Sequence, residues 1–168
     1  MRRGLAIAAL VIVLDQITKI WVVESLMRPE GVDHTPFFSP VTIELLPFFR
    51  IVMTWNTGVS FGIFNDGGPW NAIALSAVAL AVVVALLFWL RQARDWLVTL
   101  ALGLVIGGAL GNVIDRLRWG AVADFLDFHV GGMHWPAFNV ADGAITIGAV
   151  LLVVDALFRG PKSPKTEP

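Results

Sequence analysis

The sequence predicts an all-α membrane protein, with four transmembrane helices and a small β-rich segment on the outer face. Three observations predict it. Of 168 residues, 57% are hydrophobic and only 15% are charged, where soluble chains run roughly 45–50% apolar and about 25% charged. Mean hydropathy is +0.75. Four stretches approach the roughly 20 apolar residues that a spanning helix requires.

The first span covers about 4–23, from Gly4 to Val23. It follows Met1-Arg2-Arg3, and a basic start before an apolar run also resembles a signal peptide. Asp15 and Lys19 interrupt the run and no clear small-residue cleavage site follows, so the stretch reads as a span. The second span covers about 70–90, the third about 96–114 and the fourth about 140–158. Arg2 and Arg3 precede the first span, Arg91 and Arg94 separate the second from the third, and Arg159, Lys162 and Lys165 follow the fourth. Four crossings put all three basic groups on one side, which the positive-inside rule makes the cytoplasm. Both termini are then cytoplasmic, and segments of about 24–69 and 115–139 face outward. Trp21, Trp55, Trp70, Trp119 and Trp135 fall at or beyond outer ends, and Trp89 and Trp96 at inner ends. Indole rings prefer that headgroup level. Residues 161–168 carry three prolines and read as a disordered tail, leaving 1–160 as one domain.

The first outer segment is more than a linker. Val41-Thr-Ile-Glu-Leu alternates, and Phe48-Phe-Arg-Ile-Val-Met-Thr-Trp is rich in strand formers, so two short strands are expected. Asn56-Thr57-Gly58 supplies turn chemistry after the second. The resulting sheet is expected to lie on the membrane, with Phe37, Phe38, Phe48 and Phe49 dipping into lipid.

Composition also excludes partners and chemistries. A net charge of −1 without a basic stripe argues against nucleic acid. The absence of cysteine excludes disulfides, a thiol nucleophile, a cysteine metal site and an acylated anchor.

Charges inside spans are costly and mark function by default. With 1.5 Å of rise per residue, Asp15 lies about 18 Å from the inner edge and Lys19 about 24 Å; Asn112 and Asp142 lie about 24 and 25 Å out. Three helices thus offer polar groups at one depth, just below the outer surface of a core about 30 Å thick. Asp15 and Lys19 are i,i+4, as are Asn112 and Arg116, with Asp115 beside them on the helix surface; such pairs share a face. Asn139 and Asp142 are i,i+3 at the start of the fourth span, where a first-turn acid also suits the helix dipole. The Asp15–Lys19 pair reads as support for the helix rather than as chemistry.

Asp124, between Ala123 and Phe125, is an acid in apolar surroundings, whose pKa should rise. Asp142 returns to the same edge after a short loop. Two carboxyl groups brought together share a proton and titrate as a unit, which is the aspartic protease arrangement. Asp127 rivals Asp124 on spacing alone. A Ser60–Lys19 dyad lacks a nucleophile elbow, and no H-E-x-x-H zinc motif exists. His129 and His134 flank Gly131-Gly132 and read as surface or interfacial residues. A small proton-coupled transporter using Asp15, Lys19 and Asp142 is the alternative, but it gives Asp124 no role, and the halves show no repeat of the transporter kind.

Taken together, Asp15-Gln-Ile-Thr-Lys19, Trp55-Asn56-Thr-Gly58-Val-Ser60-Phe61-Gly62, Gly111-Asn112-Val-Ile-Asp115-Arg116, Val122-Ala-Asp124-Phe125 and Phe138-Asn139-Val-Ala141-Asp142 form an ordered set. On these motifs the chain resembles the lipoprotein signal peptidases (signal peptidase II) along nearly its whole length. The resemblance implies that Asp124, rather than Asp127, forms the catalytic dyad with Asp142. It implies that Asn56, Asn112, Arg116 and Asn139 line the site and that Asp15 and Lys19 support it. It further implies cleavage of bacterial prolipoproteins before a diacylglyceryl-modified cysteine, inhibition by the cyclic peptide globomycin, and no metal or organic cofactor.

Overall fold

The computed structural model describes residues 1–36, 39–58 and 69–158. Four helices in it are long and apolar enough to cross a membrane. They are α1 (Arg2–Trp21), α2 (Pro69–Gln92), α3 (Trp96–Trp119) and α4 (Val140–Phe158). A π-helical turn, Val22–Leu26, continues α1 beyond Trp21. Between and after them run β1 (Ile43–Leu46), β2 (Phe49–Asn56), β3 (Val122–Val130) and β4 (Met133–His134), joined in that order as one antiparallel sheet. The basic tail residues Arg159, Lys162 and Lys165, the expected membrane-dipping Phe37 and Phe38, and Ser60 lie outside the described residues.

Two elements differ from the sequence expectation. The third helix does not stop near residue 114. It continues to Trp119 and ends at Gly120, whose φ of 75° places it in the left-handed region and whose N–H bonds the Arg116 carbonyl. Polar residues end an apolar run without ending a helix; Gly120 is the first residue after Asn112 suited to a left-handed cap. The second outer segment, to which the sequence assigns no strand, contains β3. Its signal was present: Val122–Val130 is rich in strand formers and is followed by Gly131-Gly132, with φ of 59° and 83°. Positive φ at both positions is what a two-residue hairpin turn of the primed type requires.

The central helix is α3, which packs against α1, α2 and α4. In lipid the hydrophobic effect does not hold helices together, and close packing through small residues must. Gly103, Gly107 and Gly111 recur every four residues toward α1. A Cβ on Gly107 would stand 2.7 Å from both the Ala8 carbonyl oxygen and the Val11 Cβ. On another face Gly148 of α4 meets the Ala101 carbonyl, where a Cβ would come to 2.7 Å. Gly107→Ala is therefore expected to cost about 1–3 kcal/mol, the usual penalty of overpacking, because a backbone carbonyl cannot rotate away. A thermal melt in detergent reads this as a lower midpoint; an unchanged midpoint would contradict the packing described.

Two cores result. Ala8, Val83, Leu90, Leu102 and Ile106 fill the bundle, while Val22, Val23, Met27, Met53, Ala123 and Phe125 fix the sheet onto the C-terminal end of α1. Large apolar residues elsewhere, such as Val78, Val84, Phe88, Val150 and Leu157, are exposed, as a lipid-facing surface allows. The sheet is thereby held at the helix ends that carry the buried polar residues.

Candidate active site

The polar groups of α1 and α3 form a closed cluster. Asp15, Lys19 and Asp115 are all 0% exposed. The Lys19 ammonium donates to Asp15 Oδ2 at 2.9 Å, Asp115 Oδ2 at 2.7 Å and Asn112 Oδ1 at 3.0 Å. An ammonium has three protons, and each has an acceptor. The Gln16 amide donates to Asp115 Oδ1 at 2.8 Å and to Asp15 Oδ2 at 3.1 Å. A Cβ on Gly111 would come within 2.6 Å of Asp15 Oδ2, so only glycine lets the carboxylate lie against α3.

This cluster also fixes its neighbours. Asp15 Oδ1 accepts the Ala141 N–H at 2.9 Å, an N-terminal donor of α4 that has no partner within its own helix. Asp115 Oδ2 accepts the Ala123 N–H at 3.3 Å, which ties the start of β3 to α3 one residue before Asp124. Sequence reasoning named neither Asp115 nor Gln16 as a site residue. The i,i+4 pairing of Asp15 with Lys19 was visible, but the second acid of the cluster comes from another helix.

At the start of α4, Asn139 and Asp142 form a reciprocal cap. The Asn139 side-chain oxygen accepts the Asp142 N–H at 3.0 Å, and Asp142 Oδ2 accepts the Asn139 N–H at 3.2 Å. This is the capping-box arrangement, with an acid three residues after the cap. The other oxygen, Asp142 Oδ1, accepts from the Asn112 amide at 2.8 Å.

Asp124 is buried on β3. Its Oδ1 accepts from Asn139 at 2.7 Å and its Oδ2 from Asn56 at 3.0 Å. Asn56 reaches it because β2 and β3 pair Thr54 with Asp124 and Asn56 with Val122, making Asn56 a diagonal neighbour. Asn139 bridges the two acids, and Asp142 stands near enough for its charge to act on Asp124. Burial first, and the Asp142 charge second, push the Asp124 carboxyl up to about 7, against the opposing pull of the Asn56 and Asn139 amides. Beside Asp124 opens a cleft of about 350 Å³, lined also by Thr54, Trp55, Asn56, Thr57 and Gly58.

Arg116 lies within the electrostatic reach of Asp142, Asp115 and Asp124. It donates to the Asn112 carbonyl at 3.4 Å, and its buried Nε has no hydrogen-bond partner among the described residues. The structure thus gathers Asp124, Asp142, Asn56, Asn112, Arg116 and Asn139 at one place, with Asp15 and Lys19 directly beneath.

Asp127 goes elsewhere. It sits directly opposite Arg50 in the sheet, accepts from Arg50 Nε at 2.6 Å and contacts His134 Nδ1 at 3.0 Å. Burial would raise its carboxyl, but the hydrogen bonds from Arg50 and His134 outweigh that and hold it below the ordinary carboxylate value. A carboxylate held so firmly in its charged form is an ion-pair partner.

Three comparisons bear on this arrangement. A family model described as signal peptidase (SPase) II matches residues 7–158. The chain is 45% identical over 156 residues to a lipoprotein signal peptidase of Burkholderia thailandensis, spanning 92% of this chain and 87% of that protein. The lipoprotein signal peptidase of Burkholderia mallei is similar to the same extent. Among solved structures, a bacterial membrane enzyme determined by the in meso method at 1.9 Å resolution superposes with a TM-score of 0.77 at 27% identity, covering 96% of each chain.

Proposed function

The chain belongs to the signal peptidase II family, and we propose that it works as an aspartic endopeptidase, with Asp124 and Asp142 as the catalytic dyad. The family supports removal of signal peptides from prolipoproteins; the chemistry proposed here rests on the dyad itself. The observation that carries it is that Asn139 holds both carboxyls, donating its side-chain amide to Asp124 at 2.7 Å and its backbone N–H to Asp142 at 3.2 Å, while burial and the Asp142 charge push Asp124 up to about 7. Two acids so placed share one proton.

In the proposed reaction Asp142 takes a proton from water as the water oxygen bonds to the scissile carbonyl carbon. Asp124 gives its proton to the carbonyl oxygen, leaving a neutral gem-diol. Asp142 then passes its proton to the leaving nitrogen as the C–N bond breaks. Asp124 recovers a proton from a diol hydroxyl, and the dyad returns to its starting state. The Asn56, Asn112 and Asn139 amides donate to the carboxyl oxygens and so hold them in place, while Arg116 stands beside Gly58 of the cleft.

The proposed substrate is a prolipoprotein whose cysteine carries a diacylglyceryl group, cut just before that cysteine. Residues 1–160 act as one peptidase unit, and 161–168 as a cytoplasmic tail. Purified protein in detergent should cleave a diacylated prolipoprotein peptide, and globomycin should suppress it. Well-folded protein that leaves the lipidated peptide intact would overturn the proposal. Raising pH through about 7 removes the proton held by Asp124, so kcat/KM should fall on an alkaline limb near that pH. Profiles of kcat/KM report groups of the free enzyme. A profile flat to pH 9 would contradict the shared proton.

The positive-inside pattern supports an inner-membrane orientation with both termini cytoplasmic and the dyad near the periplasmic face. Single cysteines at Ser39 and Ser163 test it in intact cells. An impermeant thiol reagent should label position 39 and spare 163; the reverse pattern would invert the topology.

A further inference from the structure

At the end of the bundle remote from the carboxylates, two adjoining hollows share Met1. The first, of about 330 Å³, is walled by Arg2, Arg3, Arg94, Trp96 and Thr99. The second, of about 410 Å³, is walled by Leu5, Val84, Leu87, Phe88 and Arg91. The thirteen residues from Arg2 to Asp15 put about 20 Å between these hollows and the depth of the buried acid, so they are no part of the dyad's cleft.

Their chemistries differ and are complementary. The first hollow holds three arginines and Arg91 lines the second, while the acid in the same connection, Asp95, accepts the Leu97 and Val98 N–H groups as the cap of α3. The Thr99 hydroxyl donates to the Asp95 carbonyl at 2.7 Å and so serves as wall. The second hollow is an apolar groove between α1 and α2. Val84, Leu87, Phe88 and Arg91 follow one another at helical spacing on a single face of α2, reaching about 10 Å inward from Arg91. A topology signal explains why arginines stand on this side. It does not explain why an apolar groove opens from the same hollow.

We propose that the paired hollows bind one anionic phospholipid of the leaflet at that end. Its phosphate lies among Arg2, Arg3 and Arg94, and one acyl chain lies along Leu5, Val84, Leu87 and Phe88. Basic pockets between spanning helices bind such headgroups. The groove distinguishes a lipid from a free phosphate, because a free anion gains nothing from it.

Native mass spectrometry of the full chain, released from detergent containing phosphatidylglycerol or phosphatidylcholine, tests this. The wild type should retain about one phosphatidylglycerol in preference to phosphatidylcholine. The double variant Arg3→Gln, Arg94→Gln should retain phosphatidylglycerol roughly thirtyfold less well, at about a tenfold loss per 1.4 kcal/mol and about 1 kcal/mol per arginine. Leu5→Trp, which fills the groove, should weaken retention with all arginines present. If the double variant misfolds, as its melt would show, Arg94→Gln and Leu5→Trp read the two hollows separately. Equal retention of both lipids by wild type, or unchanged retention in the folded variants, overturns the proposal. So does displacement of the lipid by millimolar inorganic phosphate, which would make this a phosphate site.

Discussion

Asp124→Asn and Asp142→Asn should each lower the rate of prolipoprotein cleavage at least about a hundredfold, the low end for general acid–base catalysis. An amide supplies neither the base that takes the water proton nor the acid that protonates the carbonyl oxygen, so neither variant retains both functions. The two should differ in their effect on folding. Asp142 also closes the cap of α4 through the Asn139 N–H, so Asp142→Asn should cost some stability, typically ~1 kcal/mol for a cap. Asp127→Asn is the informative control. It disrupts a half-buried pair with Arg50 and should lower the melting midpoint, yet its rate per folded molecule should stay near wild type. Ser60→Ala should keep its activity because no acyl-enzyme forms. A folded Asp124→Asn protein with wild-type turnover would sink the dyad.

Lys19→Met should be the most destabilising single change in the chain. It strips the cation from two acids, Asp15 and Asp115, that are each 0% exposed. Removing one partner of a buried ion pair costs roughly 3–5 kcal/mol, since the remaining charge is left uncompensated. The damage should spread to both ends of the site, because Asp15 holds the Ala141 N–H and Asp115 the Ala123 N–H. Asp15→Asn and Asp115→Asn should be milder, each leaving Lys19 one carboxylate, and Asp15→Asn should keep measurable cleavage. The check is yield and melting midpoint in detergent alongside activity per folded molecule. Lys19→Met protein that melts like wild type but has no activity would make Lys19 a chemical base, and the Ser60–Lys19 alternative would return.

The difference between Asp124 and Asp127 shows where sequence reading runs out. Both are acids in one apolar stretch, three residues apart. Once that stretch is a strand, an odd separation sends them to opposite faces, one to Asn56 and Asn139, the other to Arg50 and His134. The sequence assigns no strand to 122–130, and without one the residues by themselves leave the rivals level. Family resemblance alone favoured Asp124.

What the sequence by itself determined is the set of properties that add up along the chain. Four apolar runs specify four spans, because lipid rewards each run regardless of its neighbours, and helical spacing places Asp15 with Lys19 and Asn139 with Asp142 on shared faces. Tertiary structure alone decided what depends on which element lies beside which. It made Asp115 the second acid on Lys19 and used Asp15 to cap a helix 126 residues away. It let α3 continue to Trp119, and it turned Asp127 away from Asp124 into a pair with Arg50. The physical reason is that a buried polar group must find its partner wherever packing brings one within hydrogen-bond reach. Here that reach is set by glycines on α3 that let the helices touch and by the register of β2 against β3.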